Sequence, residues 1–242
     1  MGLASFRSLI RPFVPKFLLE LHRRRWEQRQ ERHQRHIIDE FHKIYYPSRV
    51  HEAYWLGVPA LKCPLDCWVY AEIIFSTKPE IIVETGVCYG GTTLYLASLC
   101  DLLGQGTVIG VDLELQNVRD PVRQHPRIHF IEGNSVDPAI LEQVWQWSRG
   151  KRTMVILDSD HHAAHVLQEL RSYGEMVTPG CYLICEDTNL NGNPVFSPVP
   201  YNPGPKEAMD MFLKEQEDAW VVDKGCEKFL MTFNPGGYLK KK

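Results

Sequence analysis

From Glu80 to Asp187 the chain alternates short apolar runs with longer stretches of mixed polarity. The runs EIIVETG from Glu80, GTVIGVD from Gly106, RIHFIEG from Arg127, TMVILDSD from Thr153 and CYLICED from Cys181 are rich in Val, Ile and Leu. Runs of this kind, with little polar alternation, mark strands buried on both faces of a parallel sheet. Between them TTLYLASLCDLLG, AILEQVWQWSR and AAHVLQELRSYGEMV predict helices, and a further helix is expected from Leu65 to Ser76. The alternation predicts an α/β, Rossmann-like fold with helices on both faces of the sheet. Towards the end, helix KEAMDMFLKEQ is followed by AWVVD and KFLMTF, with KGCE between them. These two runs predict an antiparallel hairpin that completes a mostly parallel, seven-stranded sheet.

The first fifty residues have a different pattern. From Pro15 to about Tyr46 the chain contains no glycine and no further proline, with Phe17, Leu18, Leu21, Trp26, Ile37, Ile38 and Phe41 spaced unevenly among charges. One long helix or two are expected, as a basic helical extension (1–50) ahead of the main domain (51–242). Its basic run reads first as a solvated helix face; the sharper expectation is peripheral contact with the anionic inner face of a membrane, or with a partner subunit.

A chain of 242 residues with 44% hydrophobic and 24% charged content has enough apolar material for one sizeable core. Its formal charge of -3 gives no general attraction for nucleic acid. No apolar run approaches the roughly 18 residues of a membrane span, and the N-terminal MGLASF carries Phe6 where a myristoylation motif needs Ser or Thr. Seven scattered cysteines without a paired CxxC framework read as reduced thiols, so a cytoplasmic protein is expected, with homo-oligomerisation as the assembly prior.

The strand IIVETG opens into Gly86-Val-Cys-Tyr89-Gly90-Gly91 and then a helix, the position at which an open parallel sheet binds nucleotide-like ligands. The dinucleotide fingerprint would need glycine where Glu84 stands, which disfavours pyrophosphate. An acid there accepts hydrogen bonds from an ammonium group, directly or through water. Asp112, ending the next strand, is placed to accept both hydroxyls of a ribose. A ligand with an amino-acid end and a ribose end is S-adenosylmethionine. Glu84, Gly86, Tyr89, Gly90 and Asp112 are its expected contacts, with Asn134 and Ser135 as an adenine wall unless they only cap the following helix. Asp158 is counted with the cofactor residues, its alternative being the bracing of a loop.

The fourth and fifth strands end in Asp158, Asp160, Glu186 and Asp187, with His161, His162 and His165 close by. Unpaired carboxylates packed together repel, and a bound cation is the simplest compensation. All-oxygen ligands with open positions favour Mg2+ or Mn2+ over zinc.

The segments WLGVPALKCPLDCWVY, ETGVCYGGT, LDSDHHAAHV, CEDTNLNG, PGPKEAMDMF and TFNPGGYLK resemble the cephalosporin hydroxylase family within the class I methyltransferases. That family includes rhamnosyl and other sugar O-methyltransferases, and the resemblance spans roughly His51 onward. It implies a divalent metal bound through Asp160, Glu186 and Asp187. It also implies a sugar, glycan or glycosylated natural product as hydroxyl acceptor. Methyl transfer to a metal-bound hydroxyl needs a general base, for which His161 is the first candidate and His162 the second. His165 packs or hydrogen-bonds locally on this reading. The long NLNGNPVFSPVPYNPGPK reads as a substrate lid or a surface excursion, and Tyr201, Phe196 and Trp55 as aromatics that stack on a sugar face or simply pack. The alternatives are an iron-dependent hydroxylase, for which HHAAH lacks a clear two-histidine, one-carboxylate pattern, and a cofactor-binding subunit without turnover.

Overall fold

The computed structural model describes residues 15–196 and 203–242. Phe41 ends one compact unit and His42 begins the other. Helix α1 (Lys16–Arg49) is continuous, Pro47 included. Among the described residues no helix is long and apolar enough to cross a membrane.

From Tyr54 onward the order is β1 (Tyr54–Trp55), β2 (Val58–Pro59), α2 (Pro64–Thr77), β3 (Ile81–Thr85), α3 (Gly91–Leu103), β4 (Thr107–Asp112), α4 (Asp120–Arg123) and β5 (Ile128–Glu132). It continues with α5 (Pro138–Ser148), β6 (Thr153–Leu157), α6 (Ala163–Met176), β7 (Tyr182–Cys185), α7 (Pro205–Glu215), β8 (Trp220–Val222) and β9 (Tyr238–Lys241). The expected α/β alternation is present, with a short β1–β2 hairpin and α4 that hydrophobic patterning did not suggest.

The main sheet has the order β5-β4-β3-β6-β7-β9-β8. Neighbours from β5 to β7 are parallel, and β9 is antiparallel to both β7 and β8. All five residues of β3 and of β6 are buried. Successive strand residues point to opposite faces, so this burial means that both faces are covered. Helix α6 shows the complementary logic: Val166, Leu170 and Tyr173 are buried at helical spacing, giving it one apolar stripe.

Register decides what the sheet edge presents. Thr85 pairs with Leu157, and Leu157 with Cys185. The next residues, Gly86, Asp158 and Glu186, therefore emerge side by side. The ladder runs on past the strand ends, since the backbone N–H of Asp158 donates to Thr85 O (3.0 Å) and that of Glu186 to Leu157 O (3.0 Å).

The closing hairpin differs from the expectation in its second strand, which is Tyr238–Lys241 and not KFLMTF. Residues 228–233 cannot extend as a strand, because Leu230 has φ of 68° and Met231 and Phe233 turn inward. The Phe233 ring meets Tyr46 at 4.8 Å and Tyr45 at 6.0 Å. Asp66 fixes this loop from below: its carboxylate accepts from the Phe233 backbone N–H (2.8 Å) and the Tyr238 hydroxyl (2.8 Å). Burial pushes the Asp66 carboxyl up to about 7 against these donors.

An amide at this position would turn a donor towards at least one of those donors. Asp66→Asn is expected to lose about 1–3 kcal/mol, the usual cost of a buried group left unsatisfied, measured as a lower urea midpoint with the slope unchanged. An unaltered midpoint would show that the anchor is dispensable.

Candidate active site

A cavity of about 800 Å³ opens along the carboxyl edge of the sheet. One side is lined by Gly86, Val87, Cys88, Tyr89, Asp112, Gly133, Asn134 and Ser135, and the other by Asp158, Asp160, His161, Asp187, Val195 and Phe196. Tyr46, Pro47, His51, Pro59 and Leu61 line it as well.

The glycine loop is shaped by two contacts. Asp112 Oδ2 accepts from the backbone N–H groups of Val87 (2.7 Å) and Cys88 (2.8 Å), tying the loop to the end of β4. Gly86 has φ of +82°, and a Cβ there would lie 1.9 Å from the Asp158 carbonyl oxygen. Glycine is therefore required where β3 and β6 run closest together, because any side chain would meet backbone. Gly90 does not line the cavity; a Cβ on it would meet Val122 of α4 at 2.9 Å. Glu84 also stays off the cavity. It is 1% exposed, takes a hydrogen bond from the Thr93 hydroxyl, and burial pushes its carboxyl up to about 8.

The acids divide into two groups. Ligand atoms of Asp158, His161 and Asp187 lie within 4.8 Å of one another, the geometry of a small metal site. His161 Nε2 is 3.3 Å from Asp187 Oδ2, and the Tyr46 hydroxyl donates to the same oxygen at 3.0 Å. Burial raises the Asp158 and Asp187 carboxyls, with Lys62 opposing it at Asp158 and His161 at Asp187. Glu186 is held elsewhere: it pairs with Lys62 Nζ at 2.9 Å and accepts from the Tyr70 hydroxyl at 2.5 Å. Tyr70 in turn accepts from Asn234 Nδ2 (2.8 Å), whose Oδ1 takes the Asp187 backbone N–H (3.0 Å).

Asp160 is not brought into the cluster. Its side chain is 43% exposed and accepts from the backbone (2.9 Å) and ring (2.6 Å) of His162. Burial would raise this carboxyl, but those bonds hold it below the ordinary range. His162 does not line the cavity and bonds to Asp160. His165 Nε2 lies 3.0 Å from Ser135 Oγ and 3.6 Å from Glu169 Oε1, and Glu169 raises it. Trp55 packs edge to face on Tyr95 (4.9 Å) and donates to Ser98 Oγ (3.1 Å), so its stacking role gives way to packing. Phe196 reaches the cavity, and Tyr201 lies outside the described residues.

Sequence reasoning did not find Lys62, Tyr46, Tyr70 or Asn234. For Lys62 a signal existed: a lysine inside the apolar link GVPALKCP, with no charged residue near it before Asp66.

Two glycine substitutions separate close approach from backbone conformation. Gly86→Ala combines a left-handed φ with a collision against backbone, for about 3 kcal/mol in total. Gly104→Ala, at φ of +70° with open space around it, is expected to lose only about 1–2 kcal/mol. Equal losses in denaturant unfolding would remove the close-approach explanation.

A family model described as Rhamnosyl O-methyltransferase/CmcI matches residues 48–242. The chain is 37% identical over 212 residues to the Rhamnosyl O-methyltransferase of Mycobacterium leprae, covering 85% of this chain and 91% of that protein. It is 35% identical over 209 residues to the Rhamnosyl O-methyltransferase of Mycobacterium bovis, covering 84% of each. A solved CmcI structure with Mg and SAM matches the fold with a TM-score of 0.63 at 21% identity, over 81% of this chain and 78% of that one. The matched span holds the glycine loop, both acid-bearing strand ends and the closing hairpin, and the chain belongs to the Rhamnosyl O-methyltransferase/CmcI family.

Proposed function

We propose that this protein transfers the methyl group of S-adenosylmethionine to a hydroxyl of a sugar or glycosylated small molecule, with Mg2+ or Mn2+ held by Asp158 and Asp187. The observation that carries the reading is a single cavity with the glycine loop, Asp112, Asn134 and Ser135 on one side and Asp158, His161 and Asp187 on the other. The relatives named for a rhamnosyl acceptor support a sugar hydroxyl, and the solved CmcI structure with Mg and SAM supports the cofactor pair.

The donor set fits a hard cation. Two carboxylates converge beside one imidazole, and burial raises both carboxyls, so a positive charge between them relieves the cost of their ionisation. When bound, S-adenosylmethionine supplies the electrophilic methyl and the cation lowers the pKa of the acceptor hydroxyl. The chain's own residues do the rest. Asp112 holds the loop and would face the ribose; Tyr89, Asn134 and Ser135 would border the adenosine side. His161, whose Nε2 lies 3.3 Å from Asp187 Oδ2 in the acid cluster, is the base for the proton of the attacking hydroxyl. Pro47, Leu61, Val195 and Phe196 give the acceptor an apolar wall, which excludes water and fixes the line of attack.

The hydroxylase alternative loses its ligands in this arrangement. The cluster offers one histidine, while His165 is held at Ser135 and Glu169 and His162 pairs with Asp160. For α1 we assign peripheral contact with anionic membranes to Arg23, Arg24 and Arg25 beside the exposed Phe17, Leu18 and Trp26. Sedimentation of the protein with anionic but not with neutral vesicles is its expected signature.

The central test follows S-adenosylhomocysteine release on sugar acceptors. Exhaustive chelation should abolish turnover, and added Mg2+ or Mn2+ should restore it. His161→Gln and Asp187→Asn should each lower kcat by about 100-fold or more while calorimetry still detects S-adenosylhomocysteine binding. Full turnover in metal-free enzyme would refute the cation's role.

A further inference from the structure

His165 stands in the first turn of α6, and it lines the cavity together with Ser135 and Ser159. Three oxygens surround its Nε2: Ser135 Oγ at 3.0 Å, Ser159 Oγ at 3.3 Å and Glu169 Oε1 at 3.6 Å. Glu169 lies one helical turn further along α6 and is 1% exposed. Neither His165 nor Glu169 takes part in the proton transfer or the cation binding proposed above.

The partners fix where the hydrogens of this cluster lie. A carboxylate only accepts. The Ser159 hydroxyl donates to Glu169 Oε1 at 2.7 Å, which leaves Ser159 Oγ with lone pairs alone to offer His165. Nε2 therefore faces two acceptors, and a bare ring nitrogen there would set lone pair against lone pair. The hydrogen belongs on Nε2, in the neutral ring as in the charged one. Glu169 Oε2 is buried and has no hydrogen-bond partner among the described residues, so the carboxylate is compensated through Oε1, by Ser159 and His165.

The consequence falls on Ser135. Its Oγ accepts from Nε2–H, which leaves its own hydrogen to be donated elsewhere. Among the described residues Ser135 Oγ has no partner besides His165, and the residue borders the cavity. The Tyr173 hydroxyl donates to the Ser135 carbonyl at 2.9 Å and holds the backbone in place. We infer that His165 is a positioning residue for the cofactor: backed by Glu169, it makes the Ser135 hydroxyl a hydrogen-bond donor to an unprotonated ring nitrogen of the adenine. This rests on the S-adenosylmethionine reading above.

Two measurements test it. In ligand-free protein, nitrogen-15 shifts of the His165 ring should show hydrogen on Nε2 on both sides of its titration; a neutral ring with Nδ1–H and a bare Nε2 overturns the inference whether or not a cofactor binds. Calorimetry then compares S-adenosylhomocysteine with its 1-deaza, 3-deaza and 7-deaza analogues, one of which should bind wild type about 5- to 10-fold more weakly, the worth of one hydrogen bond. In Ser135→Ala and in His165→Leu that penalty should shrink to within about twofold. His165→Gln, whose amide N–H can stand in for Nε2–H, should keep most of it, a rescue that a merely structural histidine would not show. Equal binding of all three analogues by wild type overturns the inference, as does a penalty that persists in Ser135→Ala. Should His165→Leu fail to fold, Ser135→Ala and His165→Gln decide by the same criteria. Wild-type protein that binds none of the four ligands would instead remove the cofactor reading, and the inference with it.

Discussion

Carboxylates gathered at the ends of adjacent parallel strands repel one another, and in this protein one buried ammonium group holds the arrangement together. Register makes the problem unavoidable: Gly86, Asp158 and Glu186 follow directly on paired positions of β3, β6 and β7. Side chains at such positions cannot be moved apart without breaking the sheet, because their backbones continue its ladder. Compensation must come from outside the strands, and the link after β2 delivers it as Lys62. The cluster thereby keeps its charge and still leaves Asp158 and Asp187 facing the cavity.

The support beneath the cluster is a buried polar network and not an apolar layer. Tyr70 of α2 touches Glu186, Asn234 reaches both Tyr70 and the Asp187 backbone, and Asp66 clamps the Phe233 backbone and Tyr238. Nearly every polar atom here has a partner, the condition under which such a network rigidifies a site and does not weaken it. Tyr46 adds the last contact, from the end of α1 to Asp187. The acids are thus fixed from α2, from the 231–238 loop and from the final turns of α1, three segments far apart in sequence.

What the sequence made legible follows from the range of the forces involved. Strands β3 to β7 and their helices were readable because continuous Val, Ile and Leu runs report burial directly, and Gly86 because a sharp strand-to-helix turn demands it; that Asp112 ties the glycine loop was not readable, since its partners are backbone N–H groups 24 and 25 residues away. The acid cluster was readable as a cluster. Its internal division was not, since motif spacing cannot tell that Asp160 turns out to His162 while Asp158 turns in. KFLMTF had the composition of a strand but bends to seat Phe233 on Tyr46, a tertiary contact that overrides propensity. Lys62 was overlooked because an isolated lysine normally reads as a solvated one, and only the folded registers of β6 and β7 show what it meets.

Strand order carries a consequence for how the protein is made. β9, formed by residues 238–241, lies between β7 and β8 in the sheet, and β7 is the strand that ends at Glu186 and Asp187. Until those residues have left the ribosome, one edge of β7 has no neighbour and the loop that carries Asn234 has nothing to close against. The glycine loop and Asp112 are encoded much earlier, at the ends of β3 and β4. Synthesis therefore completes the glycine-loop half of the cavity before the acid half, so a nascent chain exposes an open strand edge during the very interval in which its charged site is unfinished.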